Sequence, residues 1–180
     1  GRKAEDEIFH VNRFNEFKEE NNNYYYYEAE ENSILIDKIY IITTSSTASA
    51  SEVIINSLKP FLDVKLIGSQ THGKPVGMRV FEYMAKDPVD NNRTWVVAPI
   101  TFKGVNALGE GEYFNGFPID GNAIDDLSKD WGDTTEASLS QAINYIKTGS
   151  FKDEPVLKSK FSEFEDEKVF VGFRREIGAF

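Results

Sequence analysis

The residues of this sequence whose types and spacing could do chemistry are a serine at a turn and a lysine 25 positions later, Ser49 and Lys74. Ser49 follows a run of small and hydroxylated residues, Thr43 to Ala48, and a helical pattern begins at Ala50. A hydroxyl lifted out between a buried strand and a helix faces the free N–H groups of the helix start, which favour developing negative charge. That is a setting for a nucleophile. The same residues also fit a plainer role. Ser49-Ala50-Ser51-Glu52 has the spacing of a capping box, with Ser49 capping the helix and Glu52 reaching back. Lys74 lies in G-S-Q-T-H-G-K-P-V-G, Gly68 to Gly77. Glycine there permits close backbone approach, and proline fixes the conformation after the lysine. One helix and one strand separate Ser49 from Lys74, the length of a compact crossover, so the two can meet at one end of a sheet.

The elements needed to bring them there are legible. Ile39, Tyr40, Ile41 and Ile42 form an apolar β-rich run suited to a buried strand, and we extend that strand over Ile34 to Ile42. From Ala50 to Lys59, the residues Val53, Ile54, Ile55 and Leu58 supply a core-facing stripe, and Pro60 stops the helix. Val64 to Ile67 returns as a second strand, parallel to the first because a helix intervenes.

Taken together, T-A-S-A-S-E, an apolar helix, a short strand ending in I-G and then G-K resemble the C-terminal-processing (tail-specific) peptidases, the Ser–Lys relatives of tricorn protease. The resemblance spans about Ile34 to Gly77, with a weaker echo to the helix near Tyr145. It implies that Ser49 is the nucleophile, Lys74 the general base, Glu52 an ordering residue and the Ala50 backbone N–H one half of the oxyanion hole. A serine hydroxyl is weak until a base takes its proton. A lysine amine, with a free pKa of about 10.4, serves only when a water-poor pocket keeps it neutral, roughly 4 kcal/mol of differential solvation. Such a pair is a variant of the triad logic. The chemistry requires no cofactor and no metal.

Two positions depart from the family pattern. Met78 stands where many members carry a glutamine that holds the lysine, so another group must orient Lys74. The family's glycine-rich strand, source of the other oxyanion donor, is not found before Ile34, and we expect the chain to be the C-terminal part of a longer protein. His72, beside Lys74, is an alternative base, with a free pKa near 6.5.

The resulting expectation is an α/β fold: a mixed β-sheet with flanking helices, a partial tail-specific-protease catalytic domain of ClpP/crotonase-like type. We assign 1–150 to that domain, with 1–33 a variable lead-in, and 151–180 to a linker and C-terminal tail. The reaction implied is hydrolysis of peptide bonds in a protein or peptide, near C-termini, through a Ser49 acyl-enzyme. The rival reading is a peptide-binding or scaffold domain of the same fold with an incomplete site. A second rival is an anion-binding module built on the Ser/Thr-rich helix start.

Composition narrows the classes further. A formal net charge of −10 over 180 residues, with Lys and Arg gathered into no stripe, argues against nucleic acid and against an anionic membrane surface. No cysteine is present, which excludes disulfides and thiolate metal sites, and two histidines make a histidine-based zinc site a poor fit. The sequence holds no transmembrane run and no signal peptide. The resemblance implies an exported, periplasmic or cell-envelope enzyme. A sheet cut short at an exposed edge is also a route to a homo-oligomer.

Elsewhere, Ile8, Val11, Phe14 and Phe17 recur at helix-compatible spacing, with an extended conformation as the alternative. Tyr24 to Tyr27, flanked by Asn and Glu, read as a surface hairpin or loop, with a binding groove as the second option. Met78 to Met84 and Thr94 to Phe102 read as strands paired in a hairpin around a turn at Lys86 to Arg93, and Asn92 opens a sequon given no function. Asp120, Asp125 and Asp126 form an acidic cluster whose spacing suits turns and caps better than calcium. Glu136 to Lys147 is a clean amphipathic helix stopped by Gly149, and Phe161 to Phe180 is either a further strand or a packed tail.

Overall fold

The computed structural model describes residues 4–85 and 93–152. The centre is a parallel pair. Strand β3 (Lys38–Thr43) lies beside β4 (Asp63–Gly68), in register from Lys38 opposite Asp63 to Thr43 opposite Gly68. Helix α1 (Ala50–Leu58) makes the crossover between them. A two-residue strand, β9 (Gly121–Asn122), extends this sheet beside the end of β4.

The alternation of side chains along a strand gives this sheet two buried faces. On one, Leu66 packs with Ile55 of α1 and with Tyr113 and Phe117, flanked by Ile41 and Val64. On the other, Ile67 packs with Ala123 and with Ala142 of α2 (Ala137–Thr148), flanked by Tyr40 and Phe151. Helix α2 starts where expected because the Glu136 carboxylate accepts from the Ser138 and Leu139 amides. It stops at Gly149, whose φ of 76° is the left-handed cap a glycine adopts without strain.

A second, antiparallel sheet has the order β2-β1-β8-β5, built from β1 (Ile8–Arg13), β2 (Asn23–Tyr26), β5 (Val76–Met78) and β8 (Ile100–Val105). A hairpin of β6 (Phe81–Ala85) and β7 (Arg93–Val97) completes the described strands. The architecture is the expected α/β mixture of sheets with flanking helices.

Several boundaries move. The strand expected over Ile34 to Ile42 begins only at Lys38, where the Asp63 amide donates to the Asp37 carbonyl and the ladder starts. Ile34, Leu35 and Ile36 leave the sheet and, with Leu58 and Phe61, line a cavity of about 360 Å³ at the end of α1 remote from Ser49. The segment with helix-compatible spacing is extended instead: Val11 and His10 are buried in β1 and a 3-10 turn follows at Glu16–Asn21, because pairing with β2 and β8 outweighs a three-residue apolar spacing. Tyr24, Tyr25 and Tyr26 form the exposed outer strand of a β1–β2 hairpin, while the Tyr27 hydroxyl donates to the Ser57 carbonyl at 2.7 Å. The strand expected over Met78 to Met84 is split at Arg79 and Val80, and that over Thr94 to Phe102 is split at Ala98 and Pro99. Proline has no N–H for the ladder, so β7 serves the hairpin and β8 the main sheet. The turn at 86–92 with the sequon asparagine, and the tail from 153 onward, lie outside the described residues.

Candidate active site

The two loops that carry Ser49 and Lys74 leave adjacent strands at the same end. Thr43 and Gly68 are partners at the last rung of β3 and β4. Beyond it the Ser69 amide donates to the Thr43 carbonyl at 2.9 Å, and the Thr43 hydroxyl donates to the Ser69 carbonyl at 2.7 Å. Gly68 is required at this crossing: its φ is 121°, and a Cβ there would sit 2.2 Å from the Thr43 oxygen.

The hydroxyl-rich run after β3 folds on itself. The Thr44 amide donates to the Thr47 hydroxyl at 2.9 Å, and the Thr47 amide to the Thr44 carbonyl at 3.0 Å. The chain then reaches Ser49 with φ 54° and ψ −116°. Among the described residues only Asp6 shares a positive φ without being glycine. A serine in such a conformation stores on the order of 1–3 kcal/mol, and such residues persist only where their surroundings over-determine them. The geometry is that of a sharp strand-to-helix elbow with the serine at its apex. Ala50 is the first residue of α1, so its amide is among the first-turn N–H groups without an acceptor inside the helix.

What over-determines Ser49 is Glu52. Its side chain is fully buried. One carboxylate oxygen, Oε2, accepts from the Ser49 amide at 3.1 Å and from the Lys74 amide at 2.8 Å. The other, Oε1, accepts from the Thr71 hydroxyl at 2.6 Å and from the Gly73 amide at 2.7 Å. Four donors on two oxygens are what a buried carboxylate requires to stay inside a protein. One oxygen shared by Ser49 and Lys74 keeps their amide nitrogens within about 6 Å, the two bonds laid end to end. A further tie runs beside it, the His72 amide donating to the Thr47 carbonyl at 2.9 Å.

The Lys74 turn is gripped from its other side as well. Gly73 has φ 93°, and a Cβ on it would lie 2.3 Å from the Phe114 carbonyl oxygen. The Pro75 carbonyl accepts from the Gly104 amide of β8 at 2.7 Å. Tyr113, stacked on Phe117 with ring centroids 4.5 Å apart, lies close enough to Glu52 for its charge to matter. Burial first and that charge second push the phenol up to about 12.

The structure therefore brings together the backbones of Ser49 and Lys74 around the Glu52 carboxylate, with Ala50 next to Ser49 as the first residue of α1. Ser49 and Lys74 are both half-buried. His72, the alternative base, has an exposed side chain, and it joins this clasp through its amide. Met78 sits half-buried in β5 opposite Ile100. Of the acidic cluster, Asp120 exchanges two bonds with Leu66, its carboxylate accepting from the Leu66 amide and its own amide donating to the Leu66 carbonyl, each at 2.8 Å. Asp126 accepts from the Ser128 amide and hydroxyl, which hold its carboxyl below the usual range. Among the described residues no group of three or more His, Cys, Asp or Glu side chains could hold a metal ion. The residue that inspection of the sequence passes over is Thr71. No local spacing signals it, because the two partners of its hydroxyl lie on distant segments.

Comparison with known proteins gives the same region a context. The model of peptidase family S41 matches residues 6–105, which include Ser49, Glu52 and Lys74. No curated protein matches. A crystal structure from Bacteroides fragilis NCTC 9343 assigned to the S41 proteases is 26% identical, with a TM-score of 0.66 over 82% of this chain. The match covers 38% of that protein, so this chain spans well under half the length of that relative.

Proposed function

The chain belongs to peptidase family S41, and on that premise we propose that it carries the nucleophile half of a serine peptidase site. The reaction is hydrolysis of a peptide bond in a protein or peptide substrate, near its C-terminus. Ser49 Oγ attacks the scissile carbonyl carbon while the Lys74 amine takes the hydroxyl proton. The tetrahedral oxyanion receives the Ala50 amide, one donor of the helix start, worth about 3 kcal/mol. Lys74 then returns the proton to the leaving amine. The acyl-enzyme is hydrolysed by water, activated through the same amine. An exported, envelope-facing location belongs to the same proposal.

The observation that carries this reading is the single carboxylate oxygen bonded to both the Ser49 and the Lys74 amides, at an elbow where Ser49 has φ 54°. A helix cap alone needs neither a strained serine nor a bond from Glu52 to a turn 22 residues away. The test is labelling by a fluorophosphonate probe. Modification of Ser49, abolished in Ser49→Ala and strongly reduced in Lys74→Ala, is the expected result. Labelling that survives Lys74→Ala but disappears in His72→Ala transfers the base role to His72. Absence of labelling in the protein at its full natural length overturns the proposal.

The presence of Met78 where the family pattern has a lysine-orienting glutamine supports one alternative, a peptide-binding domain of this fold without turnover. Saturable peptide binding with no cleavage and no labelling is its signature.

A further inference from the structure

Thr71 is 4% exposed, and its hydroxyl is used on both sides. It donates to Glu52 Oε1 at 2.6 Å and accepts from the Phe117 amide at 2.7 Å. The Thr71 amide donates in turn to the Phe117 carbonyl at 3.3 Å. The two segments are pressed together: Gly116 has φ 77°, and a Cβ there would stand 1.9 Å from the Thr71 carbonyl oxygen. Gly73 meets the Phe114 carbonyl in the same way from the other segment. Two glycines and one threonine thus lock the loop of Tyr113 to Phe117 against the turn that carries Lys74.

We infer that Thr71 is the positioning residue of this site, transmitting the packing of the Tyr113–Phe117 loop through Glu52 to the backbone of Lys74 and Ser49. The hydroxyl polarises as a relay: the Phe117 N–H binds its oxygen and its proton binds the carboxylate, so each bond strengthens the other. Without the hydroxyl proton, Oε1 keeps only the Gly73 amide, and the carboxylate is free to turn away from the two amides on Oε2. The inference deepens the reading of Ser49 and Lys74 as the reacting pair, yet its first readout is independent of that reading.

The experiment compares Thr71→Val, which keeps the shape and removes the hydroxyl, with Thr71→Ser, which restores it. Backbone amide exchange is followed by NMR at Gly73 and Lys74, with the amides of α2 as internal reference, and fluorophosphonate labelling is measured on the same proteins. Thr71→Val is expected to accelerate exchange at Gly73 and Lys74 by about tenfold while α2 is unchanged, and Thr71→Ser to return both to near the wild-type rate. Labelling of Ser49 is expected to slow by about tenfold in Thr71→Val and to recover in Thr71→Ser. Unchanged exchange at Gly73 and Lys74, or acceleration shared equally by α2, overturns the inference. Local acceleration together with a wild-type protein that never labels sustains the positioning role and removes the catalytic reading instead.

Discussion

Replacing Glu52 by glutamine isolates what the buried carboxylate does, because the side chain keeps its length and loses one acceptor and its charge. The four donors around it are the amides of Ser49, Gly73 and Lys74 and the Thr71 hydroxyl. Three are N–H groups that cannot reverse. The new amide nitrogen therefore prefers the Oε1 side, where the hydroxyl of Thr71 can turn and accept. Even there, the Gly73 N–H faces another donor and is left buried without a partner, at about 1–3 kcal/mol. The two bonds on the Oε2 side lose their charge assistance, about 1 kcal/mol more between them. Removing a buried charge offsets part of this, so the net loss is about 2–3 kcal/mol. For a chain of this size that is a fall in Tm of roughly 4–12 °C. The assay is a thermal melt of Glu52→Gln beside wild type, with fluorophosphonate labelling of both. A fall in that range together with labelling slowed at least tenfold is expected. A melting temperature within about 2 °C of wild type with full labelling would refute the claim that this carboxylate holds the elbow to the lysine turn.

Three further outcomes follow from the same geometry. Ser49→Gly relieves the φ 54° strain and should raise stability by about 1 kcal/mol after the entropy of glycine is subtracted, while abolishing labelling; a lower melting temperature would argue that the cap outweighs the strain. Gly73→Ala places a Cβ 2.3 Å from the Phe114 carbonyl at a φ of 93° and should cost about 2–4 kcal/mol in urea titration, with labelling lost. His10, buried in β1, is held below its ordinary 6.5 by burial, against the opposing bond to Asn12. Its folded value is therefore the depressed one: its contribution to stability is full above 6.5 and is lost as pH falls through the lowered folded value. Urea midpoints measured from pH 8 downward should decline below 6.5 in wild type and decline less in His10→Gln; identical pH slopes in the two proteins would contradict this.

How much of this was legible beforehand depends on the range of the force involved. The limits of α1 and α2 follow from local effects, and each lies within one residue of its expected position, whereas the strand expected from Ile34 starts only at Lys38, and Ile54, expected to face the core, is 51% exposed while Glu52 and Asn56 are buried instead. The elbow was readable because small and hydroxylated residues between a strand and a helix permit a tight turn and bond their own backbone. The spacing around Val11 fits a helix or a strand, and the choice is made by β8, more than ninety positions away, where Val11 faces Val105. Pro99 could have warned that the strand from Thr94 would break, since a ladder cannot run through it. Thr71 was unreadable for a different reason. Its two partners, Glu52 and Phe117, lie 19 and 46 positions away, and no spacing rule encodes a hydroxyl shared between a carboxylate and a distant amide.

The placement of the proposed pair can be separated into a coarse step and a fine one. Strands β3 and β4 are parallel, so the loops beyond Thr43 and Gly68 emerge from the same end of the sheet, about 5 Å apart, before any side chain acts. This is the end of a parallel sheet at which sites are commonly built. Topology alone leaves each loop several ångströms of freedom, whereas proton transfer between a hydroxyl and an amine tolerates a few tenths. The glycines remove most of that freedom by letting backbone meet backbone at Gly68–Thr43, Gly73–Phe114 and Gly116–Thr71. The remaining freedom is removed by Glu52, which rides on the first turn of α1 and so moves with Ser49 while gripping the turn of Lys74. Because the carboxylate is attached to one partner and bonded to the other, any shear between the two loops must break a charge-assisted bond inside a dry core. The strain at Ser49 and the burial of a charged group three residues later are on this account a single device, and neither would persist in an elbow that served only to cap a helix.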